Sequence, residues 1–298
     1  PRPVVSSLNF EPGQTVPNLV TVKVGANGRV NLFNSAGNTH LVADIVGYYT
    51  TAPNVTGGRF SALNPARLLD TRDGTGVGAA GPISQASAID LAVVGRGGVP
   101  ARGVQAVALN VTVDVPSSSG FLTVWPSGET RPTASTHNFT PGQTIANMVI
   151  AKVGANGKIS IFNSAGHTHV IADVVGYFSD QGGLFVPVSP TRQLDTRESS
   201  PVAAGESRAL RVTTSPIPAH ASAVVTNVTS VDASVQSYVT VWPQGADRPV
   251  ASTLNPRPSV PVPNQAYLRV GSNGELRLFN FSGTTNLVVD TFGYFTTN

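Results

Sequence analysis

The sequence contains no cysteine, which excludes disulfide bonds, thiolate catalysis and cysteine-based zinc sites. Charged residues make up only 12% of the 298 residues, well below the roughly 25% typical of soluble domains. The only lysines are Lys23, Lys152 and Lys158, and the basic residues are scattered. A nucleic-acid partner is therefore not expected. No apolar run approaches the roughly 18 residues of a membrane span, so none is expected either.

Sequence motifs for catalysis are also missing. There is no G-x-S-x-G elbow, no phosphate-binding Walker loop and no dinucleotide fingerprint. No pair of acidic positions stands out as a glycoside-hydrolase pair. We therefore expect no enzymatic activity, no catalytic residues and no cofactor.

What the sequence does contain is one stretch written three times, as Arg2–Tyr49, Arg131–Phe178 and Arg248–Phe295. We call these stretches copy 1, copy 2 and copy 3. Each carries one asparagine before an apolar run: Asn18, Asn147 and Asn264. A repeat at this period indicates an architecture of stacked units, which favours scaffolds and multivalent surfaces over a single catalytic pocket.

A different segment recurs before copies 2 and 3 only. It begins as FSALNPARLLDTR at Phe60–Arg72 and as FVPVSPTRQLDTR at Phe185–Arg197. It also contains AVALNVT or AVVTNVT, and then TVWP. The repeating module thus has a first half, which is this segment, and a second half, which is the copy. We predict a half module (second half only) at 1–52 and complete modules at 58–179 (module 2) and 184–298 (module 3).

The local pattern is β throughout. Runs such as NLVTVKV, RVNLFN and HLVADIVGYY are short, alternate in part, and are rich in Val, Ile and Thr. The segment GANG, at Gly25–Gly28 and Gly154–Gly157, reads as a hairpin turn. We predict tandem antiparallel β-sandwich modules of seven or eight strands each. The alternative is a β-propeller with five half-unit blades.

Two acidic positions suggest links between the halves of a module. The first half carries Asp-Thr-Arg at Asp70–Arg72 and Asp195–Arg197. Each second half has one carboxylate inside an apolar strand: Asp44, Asp173 and Asp290. A carboxylate buried there without a partner would cost several kcal/mol. We predict that Arg72 pairs with Asp173 and that Arg197 pairs with Asp290.

Glycan contact is the competing interpretation for some of these residues. Trp125 and Trp242 occupy the same position in TVWP, where an exposed indole could stack on a sugar ring. Packing in the core or between modules is favoured for both. Asp70 and Asp195 complete the set of candidate glycan contacts.

Metal sites have little support in the sequence. His167 and His169 share one side of a strand, but the other copies do not keep both. The oxygen-rich segment from Asp70 to Gly76 suggests a calcium loop, yet an arginine in its middle opposes a cation. We expect no metal.

The motif set RLLDTR, LNVT, TVWPSG, VGANG and ADVVGYF resembles a repeat module of secreted and cell-surface proteins of actinobacteria. The resemblance covers essentially the whole chain, and copy 3 departs from it where NFTPGQTIAN has become NPRPSVPVPN. It implies an extracellular, non-catalytic β repeat without an assigned activity.

Two functions follow as expectations. The first is a non-enzymatic scaffold or adhesion protein at the cell surface. The alternative is a carbohydrate-binding array, lectin-like or accessory to a secreted glycan-degrading enzyme. Its partner would be a cell-wall or environmental polysaccharide. Copy 1 lacks a first half, so we expect it to expose an open β edge, to borrow strands from a neighbour, or to close a ring with the rest of the chain. Borrowed strands would make the protein self-associate through this half module.

Overall fold

The computed structural model describes residues 3–50 and 57–297. The strands are β1 Arg59–Asp70, β2 Ser87–Ala92, β3 Val104–Asp114, β4 Gly120–Pro126, β5 His137–Phe139, β6 Thr144–Lys152, β7 Lys158–Asn163, β8 His169–Ser179, β9 Phe185–Asp195, β10 Ser207–Arg211, β11 Ala223–Val231, β12 Val239–Pro243, β13 Val262–Arg269, β14 Glu275–Asn280 and β15 Asn286–Phe295. The helical residues described are short 3₁₀ turns. The all-β prediction is confirmed.

Strands β1 to β8 form two four-stranded antiparallel sheets, in the orders β1-β8-β3-β6 and β2-β7-β4-β5. Their inner faces enclose a core that includes Leu109, Leu122, Ile159 and Ile161. These residues alternate along their strands with outward-facing positions, as a two-layer sandwich requires. The predicted sandwich is confirmed for this segment.

Strands β9 to β15 repeat the plan with seven strands, in the orders β13-β11-β15-β9 and β10-β14-β12. Val239 makes an isolated bridge to Leu254, at the position that β5 occupies in module 2. The core of this sandwich includes Val224, Leu276 and Leu278. No propeller is found in the described residues, so that alternative is wrong.

The two halves of a module interleave strand by strand. In module 2, second-half strand β8 lies between first-half strands β1 and β3, and β7 lies between β2 and β4. In module 3, β15 lies between β9 and β11, and β14 lies between β10 and β12. No second-half strand pairs with another second-half strand in either sandwich. A propeller blade needs a sheet of its own for each half, and this interleaving prevents it.

The Asn-Gly turns have the predicted backbone but a different role. Asn27, Asn156 and Asn273 have φ angles of 59°, 56° and 60°, in the left-handed region that Asn and Gly tolerate. However, Asn156 joins β6 to β7, and these strands belong to opposite sheets. The turn therefore crosses the sandwich, and the prediction of a hairpin is wrong.

Copy 1 differs from the other two copies in its secondary structure. No strand is assigned in residues 3–50, whose one regular element is the turn Ala26–Gly28. The strands predicted in NLVTVKV, RVNLFN and HLVADIVGYY are therefore not formed. The physical reason is the interleaving, because the strands that would pair with them belong to a first half.

Candidate functional site

The polar residues of the repeat meet inside and between the modules. Within module 2, β1 and β8 are adjacent and the register places Arg67 opposite Asp173. Arg67 Nε donates to Asp173 Oδ1 at 2.5 Å, and Arg67 Nη2 donates to Asp173 Oδ2 at 3.2 Å. Arg67 Nη1 also donates to Asp70 Oδ2 at 2.8 Å. One guanidinium thus holds two buried carboxylates, the geometry in which a charged hydrogen bond is strongest.

The prediction that Arg72 pairs with Asp173 is wrong. Arg72 lies beyond the end of β1, and its Nε donates to Asp70 Oδ1 at 2.9 Å. Its Nη1 donates to Asp114 Oδ2 at 3.2 Å. The two halves are therefore tied together by an ion pair as expected, but Arg67 makes it because only Arg67 is in register with Asp173.

Module 3 repeats this arrangement, and the prediction of an Arg197–Asp290 pair is wrong in the same way. Arg192 Nε donates to Asp290 Oδ1 at 2.5 Å, and Arg192 Nη1 donates to Asp195 Oδ2 at 2.7 Å. Arg197 is paired with Asp195. The sequence signal was available, because both first halves carry Pro-x-Arg at the same distance before Asp-Thr-Arg.

The environment moves the carboxylate pKa values in opposite directions. Burial raises the pKa of Asp173 and of Asp290, although each receives hydrogen bonds from an arginine. The hydrogen bond from Arg197 lowers the pKa of Asp195 to about 2. Burial alone would raise the pKa of Asp70, but hydrogen bonds from Arg72 hold it below its usual value. These carboxylates are engaged by the protein's own arginines, so none is free to act as an acid or base.

The same arginines extend to a neighbouring repeat. Arg67 Nη2 donates to the carbonyl of Val250, in copy 3, at 2.6 Å. Arg192 Nη2 donates to the carbonyl of Val4, in copy 1, at 3.2 Å. The first half of module 2 thus contacts copy 3, and the first half of module 3 contacts copy 1.

Three asparagines at equivalent positions close a ring among the copies. Asn18 Oδ1 accepts from the Gln265 backbone N–H at 3.1 Å. Asn264 Oδ1 accepts from the Met148 N–H at 3.0 Å. Asn147 Oδ1 accepts from the Leu19 N–H at 3.3 Å. Each asparagine therefore binds the residue that follows the equivalent asparagine of another copy, and the three bonds return to their starting point.

A second pair of asparagines, from the first halves, completes this network. Asn264 Nδ2 donates to Asn110 Oδ1 at 2.8 Å, and Asn18 Nδ2 donates to Asn227 Oδ1 at 3.0 Å. Asn110 in turn donates to the carbonyl of Ser252 at 2.6 Å. Sequence reasoning missed Asn110 and Asn227, although both stand in the recurring N-V-T segment.

Aromatic residues surround the same junction. Phe60 lies with its ring centroid 5.0 Å from that of Phe178, 5.4 Å from Tyr267 and 4.4 Å from Phe295. Tyr49, from copy 1, places its hydroxyl 3.2 Å from the Tyr267 hydroxyl. Such tilted aromatic contacts stabilise an interface beyond the apolar area that they bury.

Each tryptophan donates to a backbone carbonyl of its own module. Trp242 is only 6% exposed, and its Nε1 donates to the carbonyl of Ala246 at 3.0 Å. Trp125 is half-buried, and its Nε1 donates to the carbonyl of Glu129 at 3.0 Å. The geometry favours packing over sugar stacking, most clearly for Trp242.

The metal candidates are engaged in ordinary hydrogen bonds. His169 Nδ1 lies 3.1 Å from Thr71 Oγ1, and His167 is exposed. Asp73 Oδ1 accepts from the Thr75 N–H at 2.8 Å, which closes a local turn. Within residues 3–50 and 57–297, no cluster of three metal-ligating side chains is found. Nor does that part of the chain contain a helix long and apolar enough to cross a membrane.

An open polar cleft of about 600 Å³ lies between modules 2 and 3. Asn64 borders it from module 2, and Gln244, Asp247 and Arg269 border it from module 3. Arg269 Nη1 donates to Asn64 Oδ1 at 3.2 Å across it. Gln244 Oε1 is buried and has no hydrogen-bond partner. No aromatic side chain is among the residues that line the cleft.

The asparagine ring makes a stability prediction. Replacing Asn264 with alanine leaves the buried Met148 N–H and the Asn110 Oδ1 atom without their partners. Each unsatisfied buried group costs about 1–3 kcal/mol, so we expect a loss of about 2–4 kcal/mol in chemical denaturation. Asn138→Ala, a half-buried strand residue outside the ring, serves as the control and should lose less than about 1 kcal/mol. Equal losses in the two variants would contradict a special role of the ring.

Comparison with known proteins adds little to this geometry. No protein-family model matches the chain, and no curated protein matches it. Among solved structures, the chain is similar to the N-terminal CBM22-1-CBM22-2 tandem domain of Xyn10C from Paenibacillus barcinonensis. The identity is 9% and the TM-score 0.24, over 80% of this chain and 99% of that one.

Proposed function

We propose that this chain is a non-catalytic structural repeat protein that acts as a scaffold or adhesion segment outside the cell, at the cell surface. The asparagine ring carries the proposal. The polar side chains that recur between repeats bind other repeats, as Asn18, Asn147 and Asn264 do. A repeated ligand site would instead present recurring polar groups to solvent.

Two further observations support a scaffold. The recurring Arg67 and Arg192 neutralise buried carboxylates and also bind a neighbouring copy, so one side chain joins the halves of a module and joins modules. The motif set resembles that of secreted and cell-surface repeat modules, which supports an extracellular location.

The tryptophans provide the test. We expect Trp242→Ala to lower the unfolding free energy by about 3 kcal/mol, because a large buried side chain is removed. We expect Trp125→Ala, at the half-buried equivalent, to cost less. Neither wild type nor variant should be retained by cell-wall or plant polysaccharides in affinity electrophoresis. Retention that disappears in Trp125→Ala while stability is kept would contradict the scaffold and indicate a sugar platform.

The second candidate function is carbohydrate binding, and the cleft between modules 2 and 3 favours it. Its lining of amide, carboxylate and guanidinium groups suits sugar hydroxyls. A glycan array with wild type and Arg269→Ala decides this point. Binding that Arg269→Ala abolishes would support the cleft, whereas a silent array would leave the scaffold.

A further inference from the structure

We propose that copy 1 has an open face that binds a first half-module, a segment of the same type as residues 58–130. This inference goes beyond the proposed function, because it assigns a partner to copy 1 whether or not the assembly acts as a scaffold.

The first observation is the exposure of copy 1. Ile45 is 92% exposed, whereas Val174, the equivalent residue of copy 2, is 0% exposed. Leu32 is 69% exposed, and its equivalent Ile161 is 0% exposed. The other exposed apolar residues of copy 1 include Val20, Val22, Val24, Val30, Leu41, Val42, Val46 and Tyr48. An apolar surface of this extent on one segment marks an interaction site.

The second observation is that copy 1 already makes the contacts with other copies that copies 2 and 3 make. Asn18 and Leu19 take part in the asparagine ring, and Tyr49 contacts Tyr267. The Gly25 N–H donates to the Arg29 carbonyl at 2.9 Å, as Gly154 does to Lys158 in copy 2 at 2.9 Å. Copy 1 therefore keeps the turn and the inter-copy contacts of the complete modules and lacks only its strand partners.

The third observation identifies the partner, because specific groups of a first half are missing around copy 1. Asp44 is exposed and, among described residues, has no arginine partner such as Arg67 provides to Asp173. In module 2, the Phe60 ring lies so close to Gly176 that a Cβ there would collide with it. At Gly47, the equivalent glycine, nothing lies within 4 Å of that position. An arginine and a phenylalanine of a first half would fill these two places.

The fourth observation comes from copy 2, which the proposed first half-module would also contact. The carbonyls of Val250 and Ser252 accept from Arg67 and Asn110 of the preceding module's first half. In the described part of the chain, no group donates to the equivalent carbonyls of copy 2, those of Thr133 and Ser135. The same first half-module that covers copy 1 would supply both donors.

Strand interleaving explains why only a first half fits. A second copy of this chain has its own first halves already paired within modules 2 and 3. Two second halves cannot substitute for one another, since no second-half strand pairs with another in either sandwich. Completion of a sandwich by strands from outside is a known recognition mode that uses backbone hydrogen bonds and side-chain pockets.

The test joins residues 58–130 to the N-terminal side of Arg2 in the full chain and measures amide hydrogen exchange. We expect exchange of residues 19–49 to slow by at least about 100-fold relative to the original chain, because strands form there. The matched control is Ile45→Asp. This substitution should leave the original chain unchanged, since Ile45 is exposed there, and should abolish the protection in the extended chain.

Three results would overturn the proposal. Exchange in residues 19–49 that is equally fast with and without the extension would show that a first half does not bind. Protection in the original chain that grows with concentration, together with a dimer in sedimentation, would assign the face to a second copy. Protection in the original monomer would show that the chain covers the face itself. The Asn264→Ala measurement is made on the original chain, so the scaffold proposal can fail independently.

Discussion

Arg67→Ala is expected to destabilise module 2 by about 3 kcal/mol. The substitution leaves Asp173, which is 1% exposed at its side chain, without its bidentate partner, and breaking a buried ion pair costs about 3–5 kcal/mol. We take the lower end because the Arg67 side chain is 22% exposed. Urea denaturation followed by fluorescence or circular dichroism measures the loss. The deficit should shrink as the pH is lowered, because burial raises the pKa of Asp173 and its protonation removes the buried charge.

Arg72→Ala is the matched control for this prediction. Arg72 stands in the same motif and is also paired with Asp70, but its side chain is 48% exposed and Asp70 keeps Arg67. We expect a loss of at most about 1 kcal/mol. If Arg72→Ala proves as costly as Arg67→Ala, the assignment of Asp173 to Arg67 is mistaken. Arg192→Ala should reproduce the large effect in module 3.

The second large effect is a loss of stability in acid that depends on His137. Its imidazole is fully buried in module 2, and Nε2 donates to the Val111 carbonyl at 2.8 Å. Burial lowers the pKa of His137 from 6.5 to about 4. The imidazole of His137 takes up a proton at a higher pH in the unfolded chain than in the folded chain. The free energy of unfolding therefore loses nothing through His137 above about pH 6.5, and it decreases as the pH falls toward about 4. The loss across this window is about 3 kcal/mol.

His137→Leu isolates this contribution. Leu254 occupies the equivalent position of copy 3 and is fully buried, so a leucine fits the repeat. At pH 7 the variant should lie within about 1.5 kcal/mol of wild type. At pH 4.5 it should be the more stable protein. All other titratable groups are common to both chains and cancel in the difference. A wild type and variant with parallel pH profiles would refute the assignment to His137.

Much of the fold could be predicted from the sequence because the repeat and the β pattern are local signals. Valine-rich alternation indicated the strands, and Asn156-Gly157 indicated a turn with positive φ. Strand pairing is a long-range property, however. Nothing local shows that β6 and β7 belong to opposite sheets, so the sequence predicts a hairpin where the structure has a turn between sheets.

The sequence predicts that buried carboxylates of the candidate site pair with arginines, but it does not predict which arginine pairs with which carboxylate. A carboxylate inside an apolar strand requires a cation, and Asp173 has one. The choice between Arg67 and Arg72 depends on the register of β1 against β8, which includes a shift between Arg67 and Leu69. The asparagine ring depends on how three distant copies approach each other, which a single sequence does not encode in any one segment.

Interleaving of the halves also sets an order for folding during synthesis. In module 2, Arg59 begins β1 and pairs with Ser179 at the end of β8, so the first strand of the module waits for the last. Strands β2 to β7 can pair among themselves before that residue is made, but β1 has β8 as its only neighbour in the sheet and must wait for it. Closing such long loops is slow and exposes the nascent chain to aggregation. The interval between the synthesis of β1 and that of β8 is therefore the period in which an unpaired β1 could pair with a strand of another nascent module.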